Sequence, residues 1–234
     1  AHKAKVKRIV YISSMSVYQM AGLRDGAVIE EDSMYEKDPH ARGFYTASKL
    51  EAERAVLGLM KEEGNVPTVV LRPATIYGPR GPVFTPLIGI SLFDKIFAIL
   101  GKSRMKLPLV YIDNLIDSIV LSLDHDKAPG QVFNVIDDDT VTKWGYLTRL
   151  KAGLFPKSFR LPFPYWFIYS AVWFQEVAFK MMHRNPVLTR YRLSSATTDI
   201  SFSNAKIKHE LNWSPRITLE EGLAKTFAWY RENG

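Results

Sequence analysis

Tyr45 and Lys49 stand four residues apart in the run Tyr45-Thr-Ala-Ser-Lys49. On a helix that spacing puts a phenol and an ammonium on one face. A tyrosine with a pKa near 10 is a poor base at neutral pH. A fixed cation beside it stabilises the phenolate, and lowering that pKa by about 3 units takes roughly 4 kcal/mol of differential interaction. The pair could therefore pass a proton to or from a hydroxyl. Alone the motif is weak, because Tyr-x-x-x-Lys recurs by chance and ordinarily makes a surface contact. Upstream, Ile12-Ser13-Ser14 closes a strand-like segment, and ligands of parallel α/β sheets bind beyond the carboxyl ends of strands. A serine there can hold a substrate oxygen beside the tyrosine. Plain strand-end turn chemistry is the alternative for Ser13, Ser14 and Ser16.

These groups need a frame. Arg8-Ile-Val-Tyr-Ile-Ser13 is β-branched and aromatic without alternation, as in a strand buried on both faces. Residues 44 to 63 read as a helix with Ala52, Val56, Leu59 and Met60 inward, Glu51, Arg54, Lys61 and Glu62 outward, and Gly64 as C-terminal cap. A second buried strand follows at Thr68–Leu71, then a Pro/Gly-rich loop from Pro73 to Pro86 and a predicted helix near residues 87 to 100. Leu107–Ile112 reads as a third strand, with Asp113 placed to cap a helix carrying Leu115, Ile116, Ile119, Val120 and Leu123. Val132–Ile136 is a fourth strand. Thr218-Leu-Glu-Glu221 is a capping box opening a helix with Leu219, Gly222, Leu223, Thr226, Phe227 and Tyr230 on one face. Strands alternating with helices argue for an α/β fold on a parallel sheet.

The chain has 234 residues, 47% hydrophobic and 24% charged, which excludes disorder and low-complexity classes. With no cysteine, disulfides, thiolate nucleophiles and thiolate zinc sites are excluded. No signal peptide pattern is visible at the N-terminus, and a cytoplasmic location is expected. The net charge of +7 is scattered apart from Lys3, Lys5, Lys7 and Arg8, so a solvated surface is expected and no nucleic-acid partner. The five histidines (His2, His40, His125, His183 and His209) have no ligand spacing, so no metal is expected. A Gly-x-Ser-x-Gly elbow is missing from the sequence. Asp137-Asp-Asp139 reads as a solvated acidic loop, with calcium a remote alternative. Between Arg160 and Glu176 lie 15 uncharged residues rich in aromatics, too few to span a membrane. They suit a buried or pocket-lining helix, or an element resting on a membrane surface or gripping an apolar substrate.

Six segments occur in a telling order: Val10-Tyr-Ile-Ser-Ser-Met-Ser-Val-Tyr18, Tyr45-x-x-x-Lys49, Leu71-Arg-Pro-Ala-Thr-Ile-Tyr-Gly-Pro79, Leu109-Val-Tyr-Ile-Asp-Asn-Leu115, Val132-Phe-Asn-Val135, and Trp213-Ser-Pro before Glu220-Glu-Gly-Leu223. The set resembles the extended short-chain dehydrogenase/reductase superfamily, the NAD-dependent epimerase/dehydratase group, across nearly the whole chain. The resemblance implies the later part of a Rossmann-like NAD(P)-binding domain at 1–78 and 107–143, with a small, mostly helical substrate lobe at 79–106 and 144–234. It implies Ser14, Tyr45 and Lys49 as catalytic residues: Tyr45 exchanging a proton with the substrate hydroxyl, Lys49 lowering the Tyr45 pKa and holding the nicotinamide ribose, and Ser14 orienting the reacting oxygen. Tyr45, Lys49, Leu71 and Pro73 would contact NAD or NADP. A homodimer through helices flanking the site is a further implication.

Departures from the family pattern are equally concrete. No glycine-rich strand–turn–helix for the pyrophosphate occurs in the sequence, and Pro79 and Pro82 remove donors from the nearest glycine pair, Gly78 and Gly81. The sequence is therefore expected to be an N-terminally truncated member that binds the cofactor poorly by itself. Met15 and Ser16 stand where sugar-nucleotide dehydratases carry an acidic pair, which disfavours elimination. Leu107 replaces the diphosphate-gripping arginine of many epimerases, with Arg104 and Lys106 as imperfect substitutes. The likeness is nearer to the 3β-hydroxysteroid and sterol dehydrogenase branch. The expected function is oxidation or reduction between a secondary alcohol and a ketone on an apolar, sterol-like small molecule. Alternatives are a nucleotide-sugar 4-epimerase and a non-catalytic fragment or binding protein. Peripheral membrane contact is assigned to 161–182.

Overall fold

The computed structural model describes residues 6–233 other than 63, 65, 86, 93, 94, 100, 163, 164, 183, 185 and 187. His2, Lys3, Lys5, Pro86 and His183, and the far ends of the two helices expected at 44–63 and 87–100, lie outside the described residues. In chain order the first elements are β1 (Ile9–Ile12), β2 (Ala27–Ile29), α1 (Pro39–Arg42), α2 (Phe44–Met60), β3 (Thr68–Pro73), β4 (Thr75–Tyr77), β5 (Gly89–Leu92) and β6 (Ile96–Ile99). Then come β7 (Lys106–Leu107), β8 (Leu109–Tyr111), α3 (Ile112–Asp124), β9 (Val132–Val135), β10 (Val141–Thr142) and α4 (Lys143–Gly153). The last are β11 (Phe159–Pro162), α5 (Tyr165–Met181), α6 (Arg190–Thr197), β12 (Ile200–Phe202), α7 (Ala205–Leu211) and α8 (Leu219–Asn233).

The sheet that organises the site is parallel, in the order β1-β3-β9. Ile12 is in register with Leu71, and Leu71 with Phe133. β3 lies between two strands and all six of its residues are buried. Burying a side chain such as Val69 or Leu71 there contributes about 1.5–3 kcal/mol. The outer edge of β1 pairs with no strand among the described residues. Short pairs extend the frame: β4 with β8 and β2 with β12, both parallel, and β7 with β10, antiparallel. One core surrounds the central sheet with Leu50, Leu71, Val110 and Phe133; a second gathers Tyr77, Phe97, Tyr111, Leu147, Leu223 and Phe227.

Several sequence expectations change here. Residues 87–100 are not a helix: β5 and β6 form an antiparallel pair, and β11 adds to β6 in parallel. Gly89 makes that approach feasible, since a Cβ there would lie 1.9 Å from the Ala98 carbonyl oxygen. The third strand breaks at Pro108 into β7 and β8. Asp113 lies inside the first turn of α3 rather than capping it, where its charge favours the helix dipole; Tyr111 holds the cap position. The Thr218–Glu221 box does form, with Glu221 N–H donating to Thr218 Oγ1 (3.3 Å) and Thr218 N–H to Glu221 Oε2 (3.0 Å). Asp137 is not solvated. It is buried and accepts from Tyr111 N–H and Asn114 Nδ2, each at 2.8 Å, and burial pushes its carboxyl up to about 6.

Lys143, the first residue of α4, is fully buried and donates to the Ala196 carbonyl at 3.2 Å. Burial lowers its pKa from 10.5 to about 8. The unfolded chain therefore binds the proton more tightly, so the penalty is complete below pH 8 and disappears as pH rises past 10.5. We expect Lys143→Met to raise the unfolding free energy at pH 7 by about 2–3 kcal/mol and to flatten its rise above pH 8. Urea unfolding across that range checks this; an unchanged slope rejects it.

Candidate functional site

The site begins where β1 stops. Ser13 N–H donates to the Leu71 carbonyl (2.7 Å), continuing the β1–β3 ladder by one residue. Ser14 then leaves the sheet as the cap of a single 3-10 turn, Met15–Val17, its Oγ accepting from Ser16 N–H at 3.1 Å. Val17 and Tyr18 close the turn onto the Ser14 and Met15 carbonyls. Ser13 Oγ is buried and has no hydrogen-bond partner among the described residues.

α2 brings the second half. It buries Thr46, Ala47, Leu50 and Glu53, not the Ala52, Val56, Leu59 and Met60 face that the apolar pattern suggests; Leu59 is 54% exposed. The inward face also carries a charge: Glu53 pairs with Arg72 of β3 at 2.6 Å, with both side chains inaccessible to solvent or nearly so. Tyr45, Lys49 and Glu53 recur every four residues along the helix. Lys49 Nζ donates to the Ile12 carbonyl at 3.0 Å and lies 6.0 Å from the Tyr11 ring centroid. Tyr45 is 60% exposed. Burial raises the Tyr11 phenol, and negative charge on Glu53 raises it further. The structure thus gathers Lys49 and the Ser13–Ser14 strand end, with Tyr45 one turn from Lys49. Leu71 is opposite Ile12, and Pro73, opposite Val135, ends the buried strand.

The entry to α2 is held from the far end of the chain. Gly43, at φ +131°, joins α1 to α2, and a Cβ there would meet the Arg192 guanidinium at 3.2 Å. Buried Glu36 accepts from Arg42 Nη1 (3.2 Å), Asp38 N–H (3.1 Å) and the Tyr191 hydroxyl. Arg192 Nε donates to the Ala41 carbonyl at 3.3 Å. α6 therefore fixes the segment immediately before Tyr45. Sequence reasoning missed Glu36, Glu53 and Arg72. The available signal was Arg72 inside an otherwise apolar strand, with Glu53 in phase with Tyr45 and Lys49.

The uncharged stretch is not a buried helix. Within α5 only Val172 is buried, while Trp166 and Phe174 are 68% and 66% exposed and Phe167 and Trp173 are also open to solvent. No helix among the described residues is long and apolar enough to cross a membrane.

A cofactor implied by the resemblance can be tested against these groups. The residues present suit the nicotinamide end: a lysine with donors to spare sits at the carboxyl end of β1, where Ser13 carries an orphaned hydroxyl, and an exposed phenol lies one helical turn from that lysine. Residues 1–234 contain no glycine-rich turn for the pyrophosphate.

A parallel sheet ending in a serine turn beside a Tyr-x-x-x-Lys helix is the arrangement of the extended short-chain dehydrogenase/reductases. The chain belongs to the 3-beta hydroxysteroid dehydrogenase/isomerase family, whose model matches residues 1–153. It is 28% identical over 234 residues to the sterol-4-alpha-carboxylate 3-dehydrogenase, decarboxylating, of Bos taurus, covering 96% of this chain and 64% of the relative. It is 29% identical over 222 residues to the UDP-glucose 4-epimerase of Vibrio cholerae, covering 94% and 62%. Among solved structures, that of gox2253 superposes with a TM-score of 0.75 at 23% identity, covering 100% of this chain and 69% of that one. MoeE5 in complex with UDP-glucuronic acid and NAD gives 0.71 at 19%, covering 100% and 68%. These likenesses establish the fold. The chain spans less than two thirds of the length of the sterol dehydrogenases and of the epimerase it matches.

Proposed function

We propose that this chain carries the proton-transfer centre of an NAD(P)-dependent oxidoreductase that interconverts a secondary alcohol and a ketone on an apolar, sterol-like molecule. The observation that carries the reading is the Lys49–Ile12 contact, which brings the lysine of Tyr-x-x-x-Lys onto the strand end bearing Ser13 and Ser14. Bound nicotinamide would supply hydride acceptance and donation. Tyr45 Oη takes the proton of the reacting hydroxyl during oxidation and returns it during reduction. Lys49 keeps positive charge beside that oxygen and offers its remaining N–H donors to the ribose. Ser14 holds the reacting oxygen, and Leu71 and Pro73 form the apolar wall against the nicotinamide. In this reading 1–78 and 107–143 make the cofactor side, and 79–106 with 144–234 cover the substrate.

The similarity to the sterol dehydrogenase supports an apolar substrate, as do the aromatic side chains of α5. The epimerase relative keeps a 4-epimerase in view. Incubating the complete gene product with NAD+ or NADP+ and either a 3β-hydroxysterol or UDP-glucose separates the two. Net accumulation of reduced cofactor with the sterol supports the dehydrogenase; epimerised sugar without net reduction replaces it with the epimerase. Neither product rejects both.

The same exposed face supports peripheral membrane contact through 161–182, in a protein that this reading places in the cytoplasm. Lys180 lies at the end of α5 and Arg184 just after it, near enough to meet lipid phosphates. Flotation with anionic vesicles should retain the protein, and Trp166→Ser with Trp173→Ser should release most of it. No retention at low salt rejects this contact. A homodimer on helices flanking the site belongs to the same reading, and a purely monomeric sedimentation profile of the gene product rejects it.

A further inference from the structure

Arg72 follows Leu71 in β3, and strand alternation sends its side chain away from that of its neighbour. It is 1% exposed, yet it satisfies every donor of its guanidinium. Nε donates to Glu53 at 3.1 Å. Nη1 donates to the Tyr18 hydroxyl (2.6 Å) and the Glu31 carbonyl (2.8 Å), and Nη2 to the Tyr35 hydroxyl (2.5 Å) and Glu53 Oε1 (2.6 Å). The cation also lies 4.7 Å from the Tyr18 ring centroid and 5.1 Å from that of Tyr35. The acceptors pass the contact on: Tyr18 donates to Asn134 Oδ1 on β9 (2.7 Å), and Tyr35 to Glu53 (2.8 Å).

Each acceptor belongs to a different part of the site. Tyr18 closes the 3-10 turn whose opening cap is Ser14. Glu53 lies one helical turn beyond Lys49 and two beyond Tyr45. Tyr35 and Glu36 run alongside Val17 and Tyr18, with Glu36 N–H on the Val17 carbonyl at 2.8 Å. A single planar fork therefore fixes the serine turn, the Tyr-x-x-x-Lys helix and the central strand relative to one another. Lysine could not replace it, because an ammonium presents three donors from one point.

We infer that Arg72 is the positioning residue of this centre, setting the separation of Ser14 from Tyr45 and Lys49 through Tyr18 and Glu53 without touching the reacting atoms. The inference rests on the functional reading above, and the test keeps the two apart. In the complete gene product, Arg72→Lys and the milder Tyr18→Phe should each lower kcat about ten- to a hundred-fold and leave KM within about two-fold, as expected for misplacement. Leu150→Val in the second core, compared at equal folded fraction, should change neither. Hydrogen exchange without cofactor supplies a readout free of activity. In both site variants exchange should accelerate together in 14–18 and 44–50 and remain unchanged in α8. If Arg72→Lys does not fold, Tyr18→Phe decides alone. Exchange unchanged in either segment, or kcat retained while Tyr45→Phe abolishes turnover, overturns the inference. Coupled acceleration alongside an active Tyr45→Phe would instead sustain the brace and reject the proton-transfer reading.

Discussion

Arg72→Met should lower the unfolding free energy by about 3–5 kcal/mol, among the largest losses available to a single substitution in this fold. The reason is what remains behind. Glu53 is fully buried, and without the guanidinium the Tyr35 hydroxyl is the one donor left to it among the described residues. The two tyrosine hydroxyls lose their strongest partner as well. Burial works against charge on Arg72, but its hydrogen bonds to Glu53 and the negative charge of that carboxylate outweigh it, and its net shift is upward. Burial pushes the Tyr18 phenol up despite the adjacent cation, so it stays neutral and keeps its proton for Asn134. The companion double substitution, Arg72→Met with Glu53→Leu, should recover much of the loss, because it removes the stranded carboxylate. Urea unfolding of the three proteins measures this. A loss under about 1 kcal/mol for the single variant would mean that water replaces the missing donors.

Tyr45→Phe should do the opposite: leave stability almost untouched and remove turnover. Tyr45 is 60% exposed, and its hydroxyl makes no hydrogen bond among the described residues. Deleting one exposed oxygen should shift unfolding by less than about 0.5 kcal/mol. General acid–base transfer contributes about 10²–10⁴-fold, so kcat/KM for the alcohol should fall by that factor with cofactor binding preserved. Calorimetry and single-turnover kinetics on the complete gene product report both halves. Undiminished turnover would remove Tyr45 from the reaction.

The strands of the central sheet are legible in the sequence. Arg8–Ser13, Thr68–Leu71 and Val132–Ile136 match β1, β3 and β9 to within a residue or two, because unbroken β-branched runs have few other uses. Full burial holds for β3 alone; β1, expected to be covered on both faces, is half-buried throughout. The capping box before α8 is legible for a similarly local reason. β5 and β6 are not, since Ile90, Leu92, Ile96 and Ala98 suit a helix or a hairpin until β11 arrives from 63 residues away to pair with β6. α2 shows the other limit. Its position is plain, but its inward face combines Ala47 and Leu50 with the Glu53–Arg72 pair, a charge that apolar patterning does not rank inward. For the site, spacing alone relates Tyr45 to Lys49. The Lys49–Ile12 contact and the Arg72 fork depend on which elements become neighbours, and local pattern carries no record of that. α5 misleads because fifteen uncharged residues resemble a core helix, while most of its aromatic surface faces water.

The flank of the molecule on the far side of β1 has a practical bearing. β1 leaves one row of backbone groups without a strand beside it among the described residues, and α3, which packs on β1, turns Ile116, Val120 and Leu123 outward in a continuous stripe. Open strand margins and greasy ridges attract copies of themselves as concentration rises. Rates recorded from residues 1–234 in isolation should therefore drift with dilution, and titrating the amount of protein in every assay will reveal whether clustering or chemistry governs the signal.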